Sequence, residues 1–377
     1  MDEKCGKFKK HKPNKVNLMR IPQLFQKFIC LLVIVVHGSC IAQEDVVPRA
    51  LVVYKTQEPI TIDGIGNEAS WEKAEASMDF VDIEGVKKPR YKTNVRMLWD
   101  ETYLYFYAEM EEPHVWGTLK QRDTVIFHNN DFEIFIDPDG DSHNYYEFEM
   151  NALNTVWDLL LVKPYREGGP VVDSWEILGL QTAVQVNGTL NNPSDTDKGW
   201  SVEAAMPWEV LTEASGSNDV PEGKFWRINF SRVNWDFEIE NGKYTRKKDA
   251  NGKLLPEYNW VWSPQGVINM HEPEHWGYVY FSPNEAGNTE QFAIPKDEQI
   301  RWLLYRFYRE QKAYFEQKGK YAHSLDELPS STILQDGTEV ELRLEVHGTG
   351  WNIQAVSPFT GTVYTIREDG KYQPTNK

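Results

Sequence analysis

Acidic side chains recur in segment 130–151 at a spacing that could support chemistry on a sugar. Glu133, Glu147 and Glu149 occupy alternate positions of two short runs in which polar and apolar residues alternate. Two acids that flank a glycosidic bond are the machinery of most glycosidases. Carboxylates on one surface can equally accept hydrogen bonds from the hydroxyls of a bound sugar. The segment therefore indicates either a hydrolase or a sugar-binding site.

Three further acids, Asp137, Asp139 and Asp141, separate the two runs in the sequence Asp-Pro-Asp-Gly-Asp. Carboxylate oxygens are the ligands that Ca²⁺ prefers, so these residues form a candidate structural calcium site. The spacing is not that of an EF-hand. The same residues are ordinary turn chemistry, because Pro fixes φ, Gly permits a positive φ and Asp bonds to its own backbone. A calcium site and a plain turn both remain open.

The two runs must pair as strands for their acids to share a surface. Phe132, Ile134 and Ile136 alternate with acidic residues in the first run, and a similar alternation follows in the second. A period of two is typical of a half-buried strand, so the sequence predicts a hairpin with its acids on one face. A buried carboxylate must be paired or coordinated. That face is therefore either solvated or the floor of a binding site.

The N-terminus has the pattern of an export signal. A nine-residue apolar run at 28–36 follows basic residues and precedes a small-x-small cleavage site that ends at Ala42. We therefore expect a signal peptide at 1–42, with Met19 as an alternative true start. Nine apolar residues are too few to span a bilayer. An alternative is a cell-surface lipoprotein acylated at Cys40. The sequence thus predicts a secreted or periplasmic protein without a membrane span.

Composition restricts the partners of the exported chain. The whole sequence has a net charge of −17, and cleavage after residue 42 would leave 32 basic and 55 acidic residues, a net of −23. Such a charge excludes nucleic acid as a partner and is compatible with neutral ligands and Ca²⁺. All three cysteines precede the cleavage site, so the exported part has no disulfide. Its 14 Trp belong to an aromatic core or stack on sugars.

The pattern of strands predicts an all-β fold. About ten short alternating runs, separated by Gly, Pro and Asn, indicate one antiparallel β-sandwich over 45–285, with long loops at 111–130, 163–178 and 236–275. After a linker the apolar period changes to that of a helix, and alternating runs follow it. We therefore expect a small C-terminal α+β domain at 295–377, with Trp302, Leu304 and Phe307 buried.

Six phrases, in order, resemble the family 9 carbohydrate-binding modules that are associated with xylanases. They are Ile-Asp-Gly at 62–64 with Asn-Glu-x-x-Trp at 67–71, the run 95–105, Glu-Ile-Phe-Ile-Asp at 133–137, Tyr-Tyr-x-Phe at 145–148, the run 200–208, and Trp-x-Trp-Ser-Pro at 260–264 with Trp-Gly at 276–277. The resemblance covers about 51–281. It implies a β-sandwich that binds Ca²⁺ structurally and holds the end of a sugar chain between two Trp.

The resemblance also assigns candidate sugar-binding residues. One Trp slot falls on Phe127 and the other lies near Met270 and His271. The family's acid matches Glu133, and its Arg and Asn fall on Glu149 and Asn151. Both Trp and the Arg are therefore replaced. A substitute stacking platform is available from nearby aromatic residues, namely Trp235, Trp260 and Trp262.

These observations predict a secreted, non-catalytic carbohydrate-binding protein that takes an oligo- or polysaccharide such as xylan and serves polysaccharide catabolism or uptake. A hydrolase would need an apolar pocket to raise the pKa of one acid, and the sequence indicates none. O-glycosyl hydrolase activity can be attributed to such proteins only because xylanases carry the same module. Enzyme activity therefore stays open. The alternative is an interaction or structural protein of the cell envelope that has lost sugar binding.

Overall fold

A computed structural model describes residues 47–374 of the chain. The predicted signal peptide and Cys40 lie outside these residues. The described residues all belong to one compact unit. None of the helices that the structure describes has the length and apolar character of a membrane span.

Within residues 47–285 the structure has fifteen strands and two short helices. They are β1 (Ala50–Lys55), α1 (Ala69–Lys73), β2 (Val81–Asp82), β3 (Thr93–Trp99), β4 (Tyr103–Glu111), β5 (Asp131–Asp137), β6 (Tyr145–Asn151), β7 (Val156–Leu161), β8 (Val171–Val172), β9 (Gln181–Asn187), β10 (Gly199–Pro207), α2 (Trp208–Leu211), β11 (Phe225–Asn234), β12 (Phe237–Glu240), β13 (Lys243–Arg246), β14 (Tyr258–Val261) and β15 (Gly277–Glu285). Single turns of 3-10 helix lie at Ile126–His128, Tyr165–Glu167 and Pro273–His275.

Most of these strands form one sheet that folds over on itself as a β-sandwich. The strand order is β8-β7-β6-β5-β11-β15-β1-β3-β4-β10-β9, and β14 joins β11 to β2. The two halves share one apolar core, in which the rings of Phe106 on β4 and Phe230 on β11 stand 6.0 Å apart. The predicted sandwich is therefore confirmed.

Two details of the sandwich differ from the prediction. Strand β1 runs parallel to both of its neighbours, β15 and β3, so the sheet is mixed and not purely antiparallel. The predicted loop at 236–275 contains the hairpin β12–β13 and strand β14. These strands are only four residues long, and so short a run carries too few alternations to be recognised.

The predicted hairpin at 130–151 is present as β5 and β6. Phe132, Ile134 and Ile136 point into the shared core, as does the matching set on β6. Strand β6 pairs with β7 and β5 pairs with β11, so the hairpin lies within the sheet. Its other face carries the acids.

A helix and a four-stranded sheet follow the sandwich. They are α3 (Glu298–Lys318), β16 (Glu341–His347), β17 (Gly350–Val356), β18 (Val363–Arg367) and β19 (Tyr372–Pro374), with a 3-10 turn at Leu325–Glu327. The four strands lie in the sheet in the order in which they occur in the chain, and each pairs antiparallel with the next. Leu304 and Phe307 are buried between the helix and the sheet, whereas Trp302 is only half-buried. This is the small α+β appendage that the change of period predicted.

The appendage packs directly on the hairpin turn. Arg301 of α3 donates to the carbonyl oxygen of Gly140, and Lys371 lies 2.7 Å from the Oδ2 atom of Asp141. Glu298, at the start of α3, accepts hydrogen bonds from Arg227 of β11 and from Tyr278 of β15, at 3.3 and 2.8 Å. Charged and hydroxyl groups therefore join the two parts of the fold at the turn between β5 and β6.

Candidate functional site

Four acids lie side by side on the outer face of β5 and β6. The pairing places Glu133 of β5 opposite Glu149 of β6. Two residues further along β5, Phe135 lies opposite Glu147. Asp131 lies on the same face of β5, two residues before Glu133. Strand β7 continues the surface, because Trp157 pairs with Glu149. Strict alternation on three neighbouring strands thus collects four carboxyl groups and one indole.

This acidic floor, formed by Asp131, Glu133, Glu147 and Glu149, is not solvated. Each of the four residues is at most 5% exposed. Burial raises the pKa of Glu133 to about 7, and it raises the pKa of the other three well above the usual range, helped by repulsion from the neighbouring acids. The expectation that nothing here raises the pKa of an acid was wrong, because sequence alone does not show which loops cover the face.

Hydrogen bonds join the acidic floor to the loops around it. The backbone N–H of Phe127 donates to the Oε2 atom of Glu149 at 2.9 Å. The backbone N–H of Val233, at the end of β11, donates to the Oδ1 atom of Asp131 at 3.2 Å. The carboxylates therefore also hold the 3-10 turn that carries the Phe127 ring.

A rim of partly exposed side chains surrounds the acidic floor. It consists of Phe127, Trp157, Tyr165, Met270 and His271. Tyr165 is 48% exposed, and its ring lies 4.3 Å from that of His271 in an edge-to-face arrangement. Trp157 is held by a hydrogen bond of 2.7 Å from its Nε1 atom to Asp173. The rim offers the flat apolar faces on which a sugar ring can stack.

His271 is locked into this rim as a neutral group. Its Nδ1 atom lies 3.0 Å from the hydroxyl of Tyr145, and its Nε2 atom lies 3.8 Å from Glu147. Burial, with the nearby charge of Arg166, lowers the pKa of His271 to about 3. At neutral pH the His271 ring is therefore uncharged, so it meets Glu147 as a neutral polar group. Met270 packs beside it against a small cluster that includes Trp276.

The side chain of Asn151 forms hydrogen bonds with backbone groups. Its amide group donates to the carbonyl oxygen of Leu119 at 2.9 Å, and its Oδ1 atom accepts from the N–H groups of Leu153 and Thr155. The side chain is fully buried. In this structure Asn151 fixes the turn after β6 and offers no group to a ligand.

The three candidate substitute platforms occupy two different environments. Trp262 and Trp260 are 1% and 2% exposed and belong to the shared core, so they present no face to a ligand. Trp235 is 6% exposed and donates from Nε1 to the carbonyl oxygen of Phe127 at 2.8 Å. Trp235 therefore supports Phe127 from behind.

The turn acids are engaged with protein groups. Both oxygens of Asp137 accept backbone N–H groups, from Gly140 and Ser142, at 2.9 Å each. The Oδ1 atoms of Asp139 and Asp141 do the same for Asp141 and His143. Lys371 and Arg301 of the appendage bring positive charge to this turn. This arrangement favours a role of the turn acids in docking the appendage over a role in binding a metal ion. Calcium at the turn remains a prediction.

Trp157 and Tyr165 were missed from the sequence as site residues. The first lies in a predicted strand, and pairing of that strand with β6 would have placed it beside Glu149. Tyr165 lies in a single helical turn after β7, and no local signal distinguishes it from any other exposed Tyr. Only the fold brings it to His271.

Comparison with known proteins agrees with the resemblance seen in the sequence. Residues 62–223, which include the acidic floor and three of the rim residues, match the family model described as carbohydrate family 9 binding domain-like. The predicted resemblance to the family 9 modules is confirmed. Sandwich and site both lie largely inside the matched region.

The curated relatives are much longer enzymes. Endo-1,4-beta-xylanase A of Thermoanaerobacterium saccharolyticum is 25% identical over 171 residues, which are 45% of this chain and 11% of the xylanase. Exoglucanase XynX of Acetivibrio thermocellus is 25% identical over 207 residues, which are 55% of this chain and 15% of the exoglucanase. The chain thus matches only a small part of either relative.

Solved structures of similar proteins include a family 9 module of Caldicellulosiruptor kristjanssonii in complex with cellotriose. It is 15% identical, with a TM-score of 0.41, and the match covers 66% of this chain and 100% of the module. A putative carbohydrate-binding protein from Bacteroides uniformis is 19% identical, with a TM-score of 0.44, and the match covers 62% and 99% of the two chains.

Proposed function

We propose that this protein is a secreted carbohydrate-binding protein that holds an oligo- or polysaccharide without cleaving it. The observation that carries the proposal is the rim of flat side chains around the acidic floor, on strands inside the region matched by the carbohydrate-binding family model. A sugar needs an apolar face for its C–H groups and a few fixed acceptors for its hydroxyls. Both are present on one surface.

Phe127 and the pair Tyr165–His271 supply the stacking faces. The backbone of Phe127 is anchored to Glu149 and Trp235, so the position from which its ring projects is fixed before a ligand arrives. Tyr165 has the larger exposed face. Preorganised rings reduce the entropy that binding would otherwise cost.

The acidic floor contributes less directly than the rim to the proposed sugar binding. Its four residues are at most 5% exposed, so a sugar that stacks on the rim meets the carboxyl groups only if the rim side chains shift. We expect the rim to provide most of the affinity. Glu133 then acts mainly as an acceptor at the bottom of the site.

Hydrolysis is not favoured by this arrangement. A glycosidase separates the pKa values of its two acids, so that one is protonated while the other is ionised. Here burial acts on all four acids in the same direction. We therefore propose a non-catalytic role and attribute the similarity to xylanases to a shared module.

The covered floor favours a second candidate, an interaction or structural protein of the cell envelope that has lost sugar binding. In that case the rim side chains would plug a former site. The two candidates differ in one measurable property, which is affinity for any sugar.

Calorimetric titration tests the first candidate. The protein should bind at least one member of a panel of xylo- and cello-oligosaccharides and acidic glycans, without releasing reducing ends. Phe127→Ala should weaken that binding by up to about tenfold, because one stacked ring contributes about 0.5–1.5 kcal/mol. Phe315→Ala is the matched control, since Phe315 is a 44% exposed ring on α3.

If no sugar of the panel binds, with calcium present, the result would favour the second candidate, an interaction or structural protein. Release of reducing ends would show an enzyme. Export is tested separately by N-terminal sequencing of the protein from the producing cell, which should begin after Ala42. A lipid on Cys40 would show the lipoprotein instead.

A further inference from the structure

A cavity of about 560 Å³ lies on the outer face of the other half of the sandwich, where β3, β4, β10 and β9 are neighbours. This volume is in the range of ligand-binding sites. The residues that line it include Ile65, Asn94, Glu109, Gln185, Asn187 and Ser201. None of its lining residues belongs to the acidic floor or to the rim. The cavity is therefore a separate surface.

The floor of this cavity is a row of four polar side chains, one from each strand. Asn94 of β3 pairs with Glu109 of β4. Glu109 pairs with Ser201 of β10, and Ser201 pairs with Gln185 of β9. Residues at directly opposed positions project to the same face of a sheet. Since neighbouring strands lie about 4.8 Å apart, this polar row extends roughly 14 Å across the strands.

One side of the polar row is bordered by segment 63–66, which is fixed on the sheet. Ser201 donates to the carbonyl oxygen of Gly64 at 2.6 Å, and the N–H of Gly64 donates to the Oε2 atom of Glu203 at 3.0 Å. Ile65 projects from this segment and is 42% exposed. An apolar side chain thus stands beside the polar groups.

The next row along the strands has no side chain at its centre. Gly199 pairs with Glu111 on one side and with Asn187 on the other. Its φ is +149°, and a Cβ atom there would clash with the carbonyl oxygen of Met110. Only glycine fits this position. The missing side chain keeps the cavity open to solvent.

The polar row keeps hydrogen-bonding capacity for a ligand. Glu109 is held by Arg96 at 2.9 Å while half of its side chain stays exposed, so it is a fixed acceptor. The Nε2 atom of Gln185 donates to the carbonyl oxygen of Val186 at 3.2 Å, and its Oε1 atom can accept. Within residues 47–374 the Oδ1 atom of Asn94 has no hydrogen-bond partner. Rotation of that amide would turn the oxygen toward a ligand hydroxyl.

Charges of both signs line the cavity in equal number, namely Lys92, Lys198, Glu109 and Glu111. The lining therefore does not select a ligand of one charge. A polyanion would in addition be repelled by the net charge of −17 of the whole chain. The ligand that fits is neutral and rich in hydroxyl groups.

We propose that this cavity is a second carbohydrate site, which takes the interior of a neutral, extended polysaccharide chain lying across the four strands. The step from one strand to the next is close to the length of one pyranose unit in such a chain, so successive units meet successive members of the polar row. Ile65 would contact the C–H groups of the chain. A peptide strand would instead need the free backbone groups of a sheet edge, which a sheet face does not offer.

The inference rests on the proposed function for the class of ligand and adds a site to it. The rim and the polar row lie on the outer faces of the two halves of the sandwich. One protein molecule would then bind two sugar chains at once.

Calorimetric titration of the full chain with xylo- and cello-hexasaccharides tests the proposal. We expect two sites per chain. Gln185→Ala should weaken one of them about fivefold, the effect of one neutral hydrogen bond. The double variant Asn94→Ala with Gln185→Ala should leave one measurable site. Gln181→Ala is the matched control, because Gln181 lies on the same face of β9 outside the cavity, and it should bind as the parent does.

Electrophoresis through gels that contain soluble xylan or glucan gives a second readout for weak binding. These polysaccharides should retard the parent and Gln181→Ala equally and should retard the double variant less. Equal retardation of the double variant and the parent would overturn the proposal. Equal losses in Gln181→Ala and Gln185→Ala would also overturn it.

Phe127→Ala separates the two sites. It should remove the rim site and leave binding that still depends on Gln185. Sugar binding that depends on Phe127 alone would contradict this inference and leave the proposed function of the rim intact. Binding that depends on Gln185 alone would support the second site and contradict the assignment of the rim. A chain that binds none of these sugars would overturn both.

Discussion

The hydroxyl of Tyr305, on α3, lies 2.6 Å from the hydroxyl of Ser142, in the turn between β5 and β6. Tyr305 also donates to the carbonyl oxygen of Gly370, so one phenol connects the hairpin, the helix and the C-terminal sheet. The hairpin that carries the acidic floor is thus held at its turn by the appendage. We infer that the appendage supports the geometry of the candidate site from the opposite end of the hairpin.

Arg301→Ala should destabilise the whole protein. Arg301 is 6% exposed, donates to the Gly140 carbonyl and to Glu298, and lies 4.1 Å from the ring centre of Tyr372. Removing one member of a buried charged network costs about 3 kcal/mol, because its partners stay buried. Denaturant unfolding measures the loss. Arg343→Ala, at a 73% exposed side chain, should change stability by less than about 0.5 kcal/mol.

Equal stability of the two variants would show that the appendage does not depend on this contact. Two separate unfolding transitions in the parent would show that the appendage folds independently of the sandwich.

Gly277→Ala should be destabilising because of the position of Trp262. A methyl group at Gly277 would lie 2.2 Å from the Cζ3 atom of the Trp262 ring, which is held in the core. Overpacking of this kind costs about 1–3 kcal/mol. Gly348→Ala meets nothing within 4 Å and serves as the control in the same thermal unfolding experiment. A stable Gly277→Ala protein would mean that Trp262 is free to move, as a stacking platform would be.

The sequence predicted the fold better than the site, and Trp157 and Trp262 show why. Local alternation is enough to identify β5, β6 and the face on which Glu133 and Glu149 lie. It does not say whether a Trp near a strand end points to the core, as Trp262 does, or to the rim, as Trp157 does, because that depends on pairing with distant strands. Burial of the floor could not be predicted either, since the residues that contact its acids, Phe127 and His271, lie in separate loops far apart in the chain.

The turn acids illustrate a second limit. Asp137, Asp139 and Asp141 have the composition of a calcium loop, and their oxygens do cluster within 4.8 Å. What the sequence could not show is that Lys371, 230 residues after Asp141, approaches the same turn. Competition between an ion and a distant side chain is a property of the folded chain alone.

Acid should weaken the contact between α3 and the sandwich through Glu274. This residue is 3% exposed and bonds to Arg166 and to Arg309 of α3 at 3.0 and 2.7 Å. Burial alone would raise its pKa, yet the two guanidinium groups lower the pKa of Glu274 from 4.5 to about 2. A lowered pKa stabilises the fold fully above 4.5, and this contribution disappears as pH falls toward 2.

Denaturant unfolding between pH 5 and pH 2 measures this effect. The parent should lose roughly 3 kcal/mol from this one group, on the scale of 1.36 kcal/mol per pKa unit. Glu274→Gln should be less stable at pH 5 and should show a shallower decline below it. Glu345→Gln, at an exposed ion pair of β16, should retain the slope of the parent. An unchanged slope in Glu274→Gln would contradict the assignment.

The two sides of the rim should contribute separately to sugar binding. Phe127 is held over Glu149 on one side, whereas Tyr165 lies against His271 on the other. If a sugar ring lies between them, Tyr165→Ala should weaken binding about tenfold and Tyr165→Phe should leave it nearly unchanged, because the face and not the hydroxyl makes the contact. The double variant Phe127→Ala with Tyr165→Ala should lose roughly the sum of the two free energies, since neither ring supports the other. Calorimetry with the best ligand of the panel measures all three. Full affinity in Tyr165→Ala would show that the sugar stacks on one face only, and Trp157→Ala would then identify whether the remaining contact lies beside Glu149.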